Sequence, residues 1–252
     1  MNKPKFLILA GDGINCENET KLALVNANSD AQIVHINELL ENPLMLRAVQ
    51  GLALPGGFSF GDELGSGQVL SLKIKFKLKD HFEDFIYRGG AVIGICNGFQ
   101  VLLKLGLLPD FKKERTISLD HNISGKFINK WVTLNKHPAT ICKWTTLLKD
   151  QLINLPIRHG EGRIVLKKND ETVVYNTLLK NGQIVFQYNE NVNGAYENIA
   201  GICDPTGLIL GLMPHPEAYL YEGLNHIHQK DFFKKGKGQL IFDSIVQYLK
   251  NS

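Results

Sequence analysis

Ala91-Val92-Ile93-Gly94-Ile95-Cys96-Asn97-Gly98-Phe99-Gln100 is the stretch from which the fold is read. Its first part is an apolar run with the character of a buried strand. Phe99-Gln100-Val101-Leu102-Leu103-Lys104-Leu105 continues as an apolar helical run that Gly106 stops. A lone cysteine between them, with glycine on either side, has the geometry of a nucleophile elbow. Such a turn lifts the reactive side chain out of the sheet and presents a backbone N–H beside it. A buried core thiol at a strand end reads equally well from this stretch alone.

Outward from the elbow, the N-terminal third repeats a strand–helix–strand rhythm. Phe6 to Ala10 is an apolar strand closed by Gly11-Asp12-Gly13. Helical spacing follows through Leu22, Leu24 and Val25, with Glu17 and Glu19 near its start. Ile33-Val34-His35-Ile36 reads as a second strand, after which Asn37 is the candidate cap of a helix interrupted by Pro43. Leu52-Ala53-Leu54 is a third strand, ending in Pro55-Gly56-Gly57. This rhythm predicts an α/β fold with an open, mostly parallel central sheet and helices on both faces.

Leu72 to Lys79 is ambiguous. Its apolar and lysine residues alternate with period two, as in a strand, whereas its position calls for a crossover helix. Asp80 to Arg88 reads as helix, ended by Gly89-Gly90. Beyond Pro109 the rhythm changes. Phe127 to Leu134, Thr172 to Tyr175, Gln183 to Tyr188 and Leu208 to Met213 read as short strands, with Asn181-Gly182 as a hairpin turn between two of them. This β-rich C-terminal half is expected to extend the sheet at one edge. Residues 1–252 then form a single domain, closed by an amphipathic helix from Leu240 to Leu249.

Composition narrows the function classes. A net charge of +3 gives no reason to expect a nucleic-acid or membrane partner. The lysine groups at Lys73 to Lys79, Lys112-Lys113 and Lys234 to Lys237 lack interleaved aromatics and read as solvated faces. The four cysteines, Cys16, Cys96, Cys142 and Cys203, form no Cys-x-x-Cys pair, which argues against a zinc knuckle or a redox couple. No run approaches transmembrane length, and a cytoplasmic location with reduced thiols is expected.

A cysteine nucleophile needs a base and a means of holding that base. Met213-Pro214-His215-Pro216-Glu217 supplies both residue types. The prolines favour extended backbone at their preceding residues, and alternate residues of an extended segment face one side, so Glu217 is placed to orient His215. A proline-rich surface turn is the plainer reading of the same residues. His159, in His159-Gly160-Glu161-Gly162-Arg163, is a second candidate base on what reads as a loosely fixed loop. His226-Ile227-His228 matches no zinc spacing, and no metal is expected. Asn97 offers a backbone N–H to an oxyanion, and Pro55-Gly56-Gly57 offers another.

With these residues assembled, the chain resembles the class I glutamine amidotransferases, whose Gly-x-Cys-x-Gly-x-Gln pattern stands here as Gly94 to Gln100. It is most similar to the branch serving purine biosynthesis. Phe58-Ser59-Phe60-Gly61-Asp62, Asn97-Gly98-Phe99, His159 to Arg163 and Gly211 to Glu217 carry that narrower likeness. The resemblance implies a flavodoxin-like sheet, glutamine hydrolysis to glutamate and ammonia, and a Cys96–His215–Glu217 triad. It also implies an oxyanion hole at Gly57 and Asn97, and glutamine contact by Gln100. The implied partner is a formylglycinamide ribonucleotide synthetase subunit, with or without a small accessory subunit. ATP and magnesium belong to that partner, and no cofactor is expected on this chain. Gly65, Lys126 and Ala218 depart from positions where the family commonly carries arginine. A subunit serving another synthetase, or a non-catalytic regulatory subunit, is the alternative.

Overall fold

The computed structural model describes residues 3–111, 114–225 and 232–251. Its elements in chain order are β1 (Lys5–Ala10), α1 (Glu17–Asn26), β2 (Asp30–His35), α2 (Ile36–Glu41), β3 (Gly51–Leu54), α3 (Gln68–Lys77) and α4 (Lys79–Tyr87). They continue with β4 (Ala91–Ile95), α5 (Asn97–Leu105), β5 (Ile117–Asp120), β6 (Ile128–Lys136), β7 (Leu152–His159) and β8 (Arg163–Leu166). The last are α6 (Glu171–Lys180), β9 (Ile184–Tyr188), β10 (Ile199–Cys203), β11 (Ile209–Leu212) and α7 (Gln239–Asn251).

Among the described residues the main sheet has nine strands in the order β2-β1-β3-β4-β11-β10-β9-β6-β7. From β2 to β11 the pairings are parallel, and from β11 to β7 they are antiparallel. The β-rich half therefore extends the sheet at one edge, as expected. It also contains a separate two-stranded sheet, β5 with β8. All residues of β3, β4 and β11 are buried, so side chains pointing either way are covered. Parallel strands made of continuous apolar runs require that arrangement. One group of helices, α3 and α5, packs together with α5 on β3, β4 and β11; another, α1 and α7, packs together with α1 on β1 and β2.

The ambiguous stretch resolves as helix. Leu70, Ile74 and Leu78, four residues apart, form the buried stripe at α3 and its end, while Phe76 is 80% exposed. The lysine alternation was thus incidental to the packing. Three expectations fail. Thr172 to Tyr175 is not a strand but lies in α6, where Leu178 makes the buried contact and Val173 faces solvent. Its Val-Val-Tyr run favours a strand intrinsically, and tertiary packing overrides that weak preference. Asn181-Gly182 is accordingly no hairpin turn. Asn181 caps the C-terminus of α6, with Gly182 at φ 67° leading into β9. Asn37 is not the cap of α2 either; the His35 ring nitrogen Nδ1 accepts from its N–H at 3.2 Å. Lys112 and Lys113 lie outside the described residues.

Candidate active site

The elbow forms where β4 hands over to α5. Cys96 takes φ 51° and ψ −105°, a backbone conformation costly for any residue with a side chain and typical of functional turns. Its N–H donates to Leu212 O at 2.8 Å, tying the turn to β11, and its carbonyl accepts the N–H groups of Phe99 and Gln100. Gly98 is required by close approach: a Cβ there would lie 1.9 Å from the Leu54 carbonyl oxygen. The start of α5 thus rests directly on the end of β3. Cys96 is buried, and its thiol lies 3.7 Å from the Arg158 carbonyl oxygen, which it faces as a weak donor.

Strand β11 delivers the second component. Its continuation carries Met213 and Pro214 to His215, whose N–H donates to Pro156 O at 2.9 Å. Backbone at His215 is extended, as the flanking prolines predict, but Glu217 stands in a single 3-10 turn, Pro216–Ala218. The simple two-apart geometry was therefore the wrong reason for a correct pairing. His215 Nδ1 and Glu217 Oε1 lie 2.5 Å apart, both side chains almost wholly buried. Among the described residues, His215 Nε2 and Glu217 Oε2 have no hydrogen-bond partner.

Burial alone would lower the His215 pKa. The Glu217 carboxylate, and the thiols of Cys16 and Cys96 close to the ring, outweigh it and hold the imidazole well above its ordinary value. Neither thiol makes a well-aligned bond to the ring, since Nε2 is unpartnered. A protonated imidazole beside a thiol is the arrangement that favours a thiolate nucleophile.

The loop after β3 closes over this centre. Gly56 and Gly57 pair with the loop after β1, through Asn15 N–H to Gly56 O and Phe58 N–H to Gly13 O. Asn97 fastens the elbow to the same loop by its side chain: Oδ1 accepts from Ser59 N–H, and Nδ2 donates to Asp62 Oδ1 and Gln100 Oε1. Gln100 Nε2 donates in turn to Glu161 O at 2.8 Å. Gln100 also lines a small pocket with Ser66, Lys104, Arg115, Ser118 and Glu161. Gly57 and Asn97 thus follow neighbouring strands, β3 and β4, at the same end of the sheet.

Three neighbours of this centre were misplaced or not singled out in the sequence reading. His159 does not sit on a loose loop. It is the last residue of β7, buried, with Nδ1 3.1 Å from Asn122 Oδ1 and its carbonyl held by Asn122 Nδ2. Burial, and then the charge of His215, lower its pKa to about 4, so it is neutral near pH 7. Tyr188 ends β9 with a buried hydroxyl that has no partner among the described residues; burial and then the nearby Cys96 push its pKa up. Cys16 precedes α1 and packs beside His215. His159 was already a candidate base and Cys16 one of four unpaired cysteines in the sequence, but nothing local placed Cys16 or Tyr188 at this centre. His226 and His228 lie outside the described residues.

An elbow cysteine, a carboxylate-held histidine and a glycine loop lie together at the ends of the parallel strands. Residues 3–249 match the CobB/CobQ-like glutamine amidotransferase domain, and the chain belongs to that family, an enzyme class. Its relatives include phosphoribosylformylglycinamidine synthase subunit PurQ from Methanococcus maripaludis, 39% identical over 99% of this chain and 96% of that protein. The PurQ subunit from Dehalococcoides mccartyi is 40% identical over 99% of both chains. A solved structure of PurLQS from Thermotoga maritima contains a chain with TM-score 0.75 and 32% identity, covering 98% of this chain and 99% of that one. Among the described residues, no helix is long and apolar enough to cross a membrane.

Proposed function

We propose that this chain hydrolyses glutamine through Cys96, His215 and Glu217 and passes the ammonia to a synthetase subunit. That partner would use ATP and magnesium to convert formylglycinamide ribonucleotide to formylglycinamidine ribonucleotide in the cytoplasm. The observation that carries the reading is the buried His215–Glu217 contact, with the opposite ring nitrogen left free beside an elbow cysteine. Full-length similarity to PurQ subunits supports the choice of partner.

In this mechanism the Cys96 sulfur attacks the side-chain amide carbon of glutamine. His215 carries the thiol proton to the departing nitrogen, and Glu217 keeps the ring oriented and stabilises its charged form. The N–H groups of Gly57 and Asn97 receive the oxyanion, each such donor contributing about 3 kcal/mol to the transition state. Water, deprotonated by His215, then hydrolyses the thioester and releases glutamate. Gln100 contacts the bound glutamine. The pocket beside it carries both charge signs, Lys104 and Arg115 against Glu161, as a zwitterionic amino acid requires.

The test adds the candidate synthetase and measures glutamate release with and without formylglycinamide ribonucleotide and ATP. Stimulation by those ligands is expected. Cys96→Ala should reduce glutamine hydrolysis by at least about a thousandfold while ammonia-dependent synthesis by the complex continues. Persistent glutaminase activity in that variant refutes the assignment.

A further inference from the structure

The proposed chemistry gives Cys16 no task, yet its surroundings are unlike those of a core thiol. Its sulfur, a ring nitrogen of His215 and a carboxylate oxygen of Glu217 all lie within 4.8 Å of one another, and all three residues are buried. A Cβ on Gly56 would lie 2.7 Å from the His215 ring and 3.5 Å from Cys16 Sγ, so both groups pack against the same glycine. Among the described residues, His215 Nε2 and Glu217 Oε2 are unpartnered. Cys16 Sγ has only the neighbouring Asn15 Oδ1 at 3.2 Å as its hydrogen-bond acceptor among the described residues.

Thiolate, imidazole and carboxylate together make a donor set for a borderline-soft divalent cation such as zinc, whereas magnesium and calcium favour oxygen alone. Zinc bond lengths place the donors of a tetrahedral site about 3.3–3.7 Å apart. Cys16 need close on its partners by no more than about 1.5 Å to reach that spacing, whereas His215 Nδ1 and Glu217 Oε1, 2.5 Å apart, must open by about 1 Å to admit the ion. We infer that Cys16, His215 and Glu217 form an inhibitory site for such a cation, with Cys16 as its sulfur ligand. Binding releases the Cys16 thiol proton and the ring proton of His215 to solvent, and forms metal–sulfur, metal–nitrogen and metal–oxygen bonds. No oxidant or reductant is involved. The inhibition rests on the reading of His215 as the catalytic base; the site itself rests on the three donors.

Cobalt(II) added to the full metal-free chain supplies the direct test, since a thiolate ligand gives a charge-transfer absorption band that zinc should abolish. The band should persist in Cys96→Ser, where Cys16 is the remaining sulfur at the centre. It should vanish in Cys16→Ser, with zinc binding weakened at least about tenfold, since loss even of an outer partner to a ligand costs that much. In the complex with synthetase, zinc should suppress glutamine-dependent but not ammonia-dependent synthesis, and Cys16→Ser should resist it by a similar factor. A native chain without the band, a band lost in Cys96→Ser, or one retained in Cys16→Ser overturns the site. If Cys16→Ser does not fold, as judged by circular dichroism, the Cys96→Ser result decides. A band that follows Cys16 while zinc spares glutamine hydrolysis upholds the site and instead refutes His215 as base.

Discussion

Gly56 and His215 meet with no room between them: a Cβ on the glycine would lie 2.7 Å from the ring carbon Cε1. The loop after β3 is therefore a wall against which the imidazole rests. Gly56→Ala introduces a steric conflict with the ring. We expect kcat to fall about a hundredfold, the effect of displacing a catalytic group by about 1 Å, with KM little changed. Glutamate release by the reconstituted complex measures this, and an unchanged kcat would mean the ring relocates freely.

Glu217 holds His215 through a buried contact of 2.5 Å. Glu217→Gln keeps the shape but removes the charge that supports a protonated ring. A loss of about a thousandfold to ten-thousandfold in kcat is expected, with KM for glutamine nearly constant. A drop confined to KM would assign the carboxylate to substrate binding.

His159 makes stability depend on pH. The unfolded chain protonates this histidine near 6.5, whereas the folded chain resists protonation until about 4. Stability is therefore lost as pH falls through that window and unaffected by this residue above it, the loss reaching about 3 kcal/mol at the acid end. His159→Gln should remove that part of the acid slope. Urea unfolding at several pH values provides the comparison, and equal slopes in both proteins would contradict the burial argument.

The Asn97 side chain joins the elbow to the loop from Ser59 to Asp62 and to Gln100. Asn97→Ala keeps the backbone N–H but strands those partners. A stability loss of about 1–3 kcal/mol is expected, with a rise in KM because Gln100 loses its anchor. Calorimetry and steady-state kinetics together separate the two effects.

The local features of this chain were legible as written. An unbroken apolar run such as Ala91–Ile95 is buried on both faces wherever it sits, and Gly94, Cys96 and Gly98 encode their turn within a few residues. The pairing of His215 with Glu217 was legible for a similar reason, being two residues apart, although the 3-10 turn that achieves it was not. Where local preference and distant packing competed, the sequence misled or left the element open. Val173-Val174-Tyr175 became helix, and the alternating Leu72 to Lys79 stretch yielded to a stripe from Leu70 to Leu78.

The sequence by itself singled out the residues of the proposed chemistry, because Cys96, His215 and Glu217 lie in two short segments with strong backbone constraints. Tertiary structure alone decided what surrounds them. Cys16, Gly56, His159 and Tyr188 come from four separate strand or loop ends, gathered only when β11 enters beside β4 and the antiparallel strands extend the sheet beyond it. Contacts between residues so far apart in the chain have no local signature. They follow from strand order, and strand order is settled by the burial of the whole sheet.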